Sequence, residues 1–315
     1  MILISLTMII MVRSWRLGLP LLLALLLAGA LAGCGQLDPH RGQRFVVASF
    51  YPLAFIAKRI VGAQVPVLDL THPGQDPHDV ELTVRQTAEV EDATVAFYET
   101  GLQPAVDEAI AHTRPQQTGS AETVDAAGAA HLVPASGPDS AAGMDPHFWL
   151  DPVRASAVAT EFERAMVRAD PAHARRYARN LARLHRQLAS LNGAYRRGLA
   201  HCRVRTIVVS HAAFGYLARR YHLHQVYING LSPDAEPSPA HLRALQGVVA
   251  RSGVTTIFSE PLESPAMADT LAHDLGLRTA VLDPIEGLSP ATAHQNFLSL
   301  MRHNLSALEK AGRCA

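Results

Sequence analysis

Three histidines and one aspartate, His78, His147, His211 and Asp283, stand in separate segments, each just past a short apolar run or at a turn. Three imidazoles and one carboxylate form a complete tetrahedral donor set for a transition metal, zinc above all. The nitrogen-rich balance disfavours manganese, which prefers oxygen, while copper would outcompete zinc at such a set on intrinsic affinity, so selectivity must rest on supply and geometry. Glu260 reads in two ways, as an acceptor that fixes a ligand imidazole or as an acidic residue favoured by a helix dipole. Asp145 and Asp151, flanking His147, read as caps of turns and of the following helix. Glu236 reads as structural. His72 reads as an exposed loop residue, with a place at the mouth of the cleft as the alternative, and His173, His185, His201, His222 and His224 read as surface or capping residues.

Donors so far apart in sequence need a scaffold that delivers each to one edge. Short apolar runs at 44–49 (RFVVAS), 65–70 (VPVLDL), 94–98 (TVAFY) and 130–134 (AHLVP) alternate with helical patterns, as parallel βαβ units require. A second series follows at 205–210 (RTIVVS), 225–228 (QVYI), 255–259 (TTIFS) and 279–282 (TAVL). The expected fold is α/β, with two lobes, each a small mostly parallel sheet flanked by helices. The expected divisions are 44–167 for the first lobe, 168–201 for a linking helix and 202–315 for the second lobe. Asp170 and Pro171 offer an N-cap and a first helical residue, and apolar side chains recur at Tyr177, Leu181, Leu184, Leu188, Leu191, Tyr195 and Leu199. That stripe predicts one long helix packed across both lobes, a strut that limits how far they swing. In open α/β sheets ligands gather beyond the carboxyl ends of the strands, which puts the metal site between the lobes.

Lys and Arg total 28 against 28 Asp and Glu, with no clustered basic excess of the kind phosphate contact needs, so composition argues against a nucleic-acid binder. Residues 1–33 read as an export signal: Arg13 and Arg16 precede an apolar run at 17–31 that is short for a membrane span. Translation from Met11 would place the charges in their usual position. Ala30-Leu31-Ala32 fits a small-x-small cleavage site, and Leu31-Ala32-Gly33-Cys34 resembles the lipobox of bacterial lipoproteins, with Cys34 as the lipidated residue. An uncleaved anchor is the alternative. Lipidation of Cys34 leaves Cys202 and Cys314 as an even pair in an oxidising compartment, which predicts a disulfide; two independent small hydrophobes are the alternative.

The segments DPHDVE, MDPHFWLDP, VSHAAFGYLARRY, GLSPDAEPSP and VLDPIEGL together resemble the metal-binding lipoproteins of bacterial ABC importers for zinc and manganese, the high-affinity zinc type in particular. The likeness runs from about Arg44 to Cys314. It implies two α/β lobes on a long backbone helix and a metal held between them, with His78, His147, His211 and Asp283 matching the family's ligands. It also implies delivery to a membrane permease driven by a cytoplasmic ATPase, by a monomeric, extracytoplasmic protein. Manganese-type relatives tend to place Glu where His211 stands. A manganese importer component, or a zinc metallochaperone or adhesin, is the alternative. Zinc-type relatives often carry a loop rich in His, Asp and Glu; here 114–144 is rich in Ala, Gly and Ser with one histidine, His131, and reads as a surface insertion or a flap. Four protein donors leave no open position for a catalytic water, and no HExxH, nucleophile elbow or phosphate loop occurs, so an enzyme is not expected.

Overall fold

The computed structural model describes residues 43–113, 121–135, 143–233 and 235–315. The export segment, Cys34, and parts of the 114–144 segment lie outside the described residues.

Two parallel four-stranded sheets form the two lobes. The first contains β1 (Val46–Ala48), β2 (Val67–Asp69), β3 (Val95–Tyr98) and β4 (Glu122–Asp125) in the order β2-β1-β3-β4. The second contains β7 (Thr206–Val209), β8 (His224–Tyr227), β9 (Thr256–Ser259) and β10 (Arg278–Val281) in the order β10-β9-β7-β8. Numbered from its own first strand, each sheet runs 2-1-3-4, so the halves repeat one topology. Between them in sequence a two-stranded antiparallel arm pairs β5 (Val133–Pro134) with β6 (Met144–Asp145).

The helices are α1 (Tyr51–Val61), α2 (Val84–Asp92), α3 (Pro104–His112), α4 (Ala126–Ala130), α5 (Pro152–Ala169), α6 (Ala174–Gly198), α7 (Gly215–Tyr221), α8 (Pro239–Ser252), α9 (Ala266–Asp274) and α10 (Phe297–Gly312). Alternation along the strands sorts the core. Val46, Ala48, Val95, Phe97, Ile207, Val209 and Phe258 share one large cluster with the α6 stripe Tyr177, Leu181, Leu184, Leu188, Leu191 and Tyr195. The opposite pleat packs into a separate core in each lobe, Val47 and Ala96 in the first and Val208 and Ile257 in the second. α6 packs against α1, α5 and α10, the helices that lie on the two sheets, so both lobes share one continuous apolar body with it, which is what the stripe predicts.

Two expectations need correction. The fourth strand of the first sheet is 122–125 rather than 130–134. Ala126–Ala130 is instead a short helix, capped where Asp125 accepts from the Ala127 N–H at 2.9 Å. The HLVP run becomes part of the antiparallel arm. The long helix, for its part, begins at Ala174 after a 3₁₀ turn, Pro171–His173, and Asp170 makes no side-chain cap. Its carboxylate accepts from the Tyr177 hydroxyl at 2.7 Å and pairs with His173 Nδ1 at 2.6 Å and Arg44 Nη1 at 2.9 Å. Cys202 and Cys314 form a disulfide, tying the end of the backbone helix to the residues just after α10.

Candidate metal centre

His78, His147, His211 and Glu286 each present one donor atom, and all four lie within 4.8 Å of one another. The ring centroids are 5.0 Å apart for His147 and His211, 5.7 Å for His78 and His147, and 6.1 Å for His78 and His211. Nε2 of His147 and Nε2 of His211 face each other at 3.2 Å. Glu286 Oε1 stands 3.1, 3.5 and 3.6 Å from Nε2 of His147, His211 and His78. Donors about 2.0–2.1 Å from a tetrahedral ion sit about 3.3 Å from each other, and the separation between His147 and His211 and the three to Glu286, 3.1 to 3.6 Å, bracket that value.

Local chemistry fixes each donor. The two Asp-Pro-His triplets fold alike: Asp76 Oδ1 accepts from the His78 N–H at 2.8 Å, and Asp145 Oδ1 from the His147 N–H at 3.0 Å. Asp145 also takes the ring, with His147 Nδ1 at 2.8 Å from the same oxygen. His211 follows β7 through Ser210, and its Nδ1 lies 2.7 Å from Glu260 Oε1, which also accepts from the Ser210 hydroxyl and the His211 N–H. With Nδ1–H donating outward in both rings, both Nε2 lone pairs point inward. Two inward lone pairs at 3.2 Å repel unless a proton or a cation stands between them.

Burial by itself would lower the three imidazole pKa values, yet all three are raised. Glu286 and Asp145 outweigh burial for His147, Glu286 for His78, and Glu260 for His211. Burial would raise Glu286, but the facing imidazoles hold it well below the usual carboxylate range. His147 and His211 are fully buried and the Glu286 side chain is 4% exposed, while His78 is 17% exposed, so the cluster opens to solvent on the His78 side. Among the described residues, neither His78 Nε2 nor Glu286 Oε1 meets hydrogen-bond geometry with any neighbour. Buried polar atoms left this way call for a partner.

The carboxylate in this group is Glu286, not Asp283. Asp283 Oδ1 accepts from the Ile285 N–H at 2.7 Å, and its backbone is held on both sides by Asn304: the Asn304 amide oxygen accepts from the Asp283 N–H at 2.9 Å, and the Asn304 amide donates to the Asp283 carbonyl at 2.6 Å. Ile285 is forced into the left-handed region at φ 59°, a conformation that a β-branched residue avoids unless its surroundings impose it. Trp149 Nε1 adds a bond to the Pro284 carbonyl at 2.7 Å, joining the His147 segment of one lobe to this turn of the other. The turn brings Glu286, three residues on, to the imidazoles. Burial pushes Asp283 up to about 6. The signal was present in DPIEG, because Asp before Pro favours an Asx turn that occupies its oxygens and leaves the next carboxylate as the donor. Glu260 stands on the His211 ring, the first of its two expected roles. Asp145 both caps its turn and holds the His147 ring, and only the cap was expected. Asp151 accepts from the Val153 N–H at 2.9 Å, at the start of α5.

A two-lobed α/β protein with a buried, nitrogen-rich donor cluster between its sheets is a binding protein for a metal ion. The chain belongs to the family described as zinc-uptake complex component A, periplasmic, which it matches over residues 46–311. It is 33% identical over 304 residues to the zinc-binding lipoprotein AdcA of Streptococcus pneumoniae R6, covering 92% of this chain and 60% of that protein. This chain thus spans about three fifths of that relative. It is 31% identical over 291 residues to the high-affinity zinc uptake system protein ZnuA of Bacillus subtilis 168, covering 87% and 89% of the two chains. Among solved structures, the Zn(II)-bound ZnuA-like domain of S. pneumoniae AdcA superposes with a TM-score of 0.73 at 32% identity, covering 85% of this chain and 98% of that one. A mutant of the laminin-binding adhesin Lmb of Streptococcus agalactiae superposes with a TM-score of 0.77 at 28% identity, covering 85% and 98%.

Proposed function

We propose that this chain captures zinc outside the cytoplasm through Nε2 of His78, His147 and His211 and a carboxylate oxygen of Glu286, and delivers it to an ABC permease. The observation that carries the reading is the convergence of three imidazole nitrogens and one carboxylate oxygen at tetrahedral spacing, with two of the rings turned lone-pair-inward by Asp145 and Glu260. Asp283 acts by holding the turn that presents Glu286. Three nitrogens to one carboxylate favour zinc over manganese as cargo. Four donors close a tetrahedron and leave no position for a reacting water, which supports binding over hydrolysis. The zinc-binding and zinc-uptake names of the relatives point the same way. We take Cys34 as the lipid attachment point and the protein as a monomer that docks on its permease.

Competition titration of the purified protein tests this. Zinc should bind far more tightly than manganese. Glu286→Ala should weaken zinc by more than about 100-fold, beyond the 10- to 100-fold usual for residues that only support a ligand. Asp283→Ala, which loosens the turn, should fall within that smaller range. Equal losses in the two variants, or manganese bound as tightly as zinc, would remove the assignment.

A further inference from the structure

We propose that the outer face of α6 docks on a membrane surface carrying anionic phospholipid headgroups, independently of the metal site. Ala174–Gly198 contains seven arginines and no Asp or Glu. Six of them are exposed, and five of those six, Arg175, Arg179, Arg183, Arg186 and Arg197, share one face. Their steps of 4, 4, 3 and 11 residues keep them within about 80° of arc at 100° per residue. That arc lies opposite the buried stripe Tyr177 to Tyr195. None of the five has an ion-pair partner among the described residues. The whole chain is formally neutral, so this unshielded positive face is a local feature.

Two further observations choose a membrane over a protein partner. First, the folded unit starts at Arg44, and that residue is pinned to Asp170 at 2.9 Å, four residues before α6 begins. The first residue of this unit therefore stands at the N-terminal end of the arginine face, ten residues (44 − 34) after Cys34, the lipid attachment point proposed above. Second, the face lacks the buried aromatic anchors that protein hot spots use. Between the arginines lie Ala182, Ser190 and Gly193. Beside its N-terminal end, a groove between α5 and α6 is lined by Val167, Ala174 and Ala178 with Glu163, Arg164, Arg168 and Arg175 around them; Arg164 and Arg168 are paired with Glu161 and Glu122, so Arg175 is the arginine of this groove that belongs to the unpaired face.

The test uses the unit from Arg44 to Ala315, the compact unit that corresponds in extent to the solved ZnuA-like domain, 85% of this chain against 98% of that one. This unit is mixed with vesicles of phosphatidylcholine alone, or with about a third phosphatidylglycerol, and sedimented. It should pellet with the anionic vesicles only, and lose that binding near 1 M salt, where screening shortens to about 3 Å. Replacing Arg175, Arg179 and Arg183 together by Gln should weaken the binding about a hundredfold, at roughly fivefold per charge. Zinc affinity should stay unchanged, which shows that the variant is folded. Replacement by Lys should restore most of the binding. Equal sedimentation with both vesicle types, or anionic binding that survives the Gln substitutions, overturns the proposal, as does crosslinking from position 183 in cells to protein rather than to lipid.

Discussion

The Nδ1 atoms of His147 and His211 face carboxylates, Asp145 at 2.8 Å and Glu260 at 2.7 Å, and these contacts decide where the lone pairs of Nε2 point. A neutral amide at either place can accept the same proton but holds it less strongly, and can rotate to offer a donor instead. Asp145→Asn and Glu260→Gln should each lower zinc affinity by about 10- to 100-fold while leaving the fold intact. Isothermal titration beside a thermal melt of the metal-free protein checks this, and a variant that loses stability but keeps full affinity would contradict it. The three histidines were legible in the sequence because each follows a strand or an Asp-Pro turn. Glu286 was passed over, since the Asx turn favoured by Asp283-Pro284 was its one local signal and both residues are carboxylates. What separates them is a backbone turn with Ile285 at φ 59°, held by Asn304 and Trp149, contacts that span 21 and 135 residues of chain.

Among the elements, seven of the eight sheet strands fell close to their expected places, because apolar runs bounded by turns are a local signal. The exception, β4, buries only Val124 of its four residues and pairs on one side alone, with β3. An edge strand with so little apolar surface leaves no pattern, whereas HLVP is apolar enough to pass for a strand. The backbone helix was legible along its length because its stripe is regular, but its start was not, since Asp170 bonds forward to Tyr177 in place of capping. Leu188 sits at the middle of that stripe, 1% exposed, in the core that both sheets share. Leu188→Ala should therefore cost about 2–5 kcal/mol, read by urea unfolding, and both lobes should lose stability together in one transition. Unfolding of one lobe with the other left native would show that the shared core does not couple them.

For the molecule as a whole, the donors divide between the halves, with His78 and His147 before α6 and His211 and Glu286 after it. An ion held by all four joins the two sheets, so its binding free energy adds to the stability of the entire unit, by about 4 kcal/mol at a thousandfold excess over Kd. Without the ion, protons hold the cluster. Raised imidazole pKa values contribute stability that is fully present below the unfolded value of about 6.5 and fades as pH rises through the folded values. The depressed Glu286 contributes above its unfolded value of about 4.3 and is lost as pH falls through the folded one. The metal-free protein therefore gains most from this cluster between about pH 4.5 and 6.5. Zinc binding needs all three rings neutral and takes over as pH rises. The Tm difference between zinc-loaded and chelator-treated protein should be small near pH 5.5 and widen steadily towards about pH 8, each form melting in one transition. Differential scanning calorimetry across that range measures it. A difference independent of pH, or one that shrinks as pH rises, would mean that the imidazoles and Glu286 do not share their site between protons and zinc.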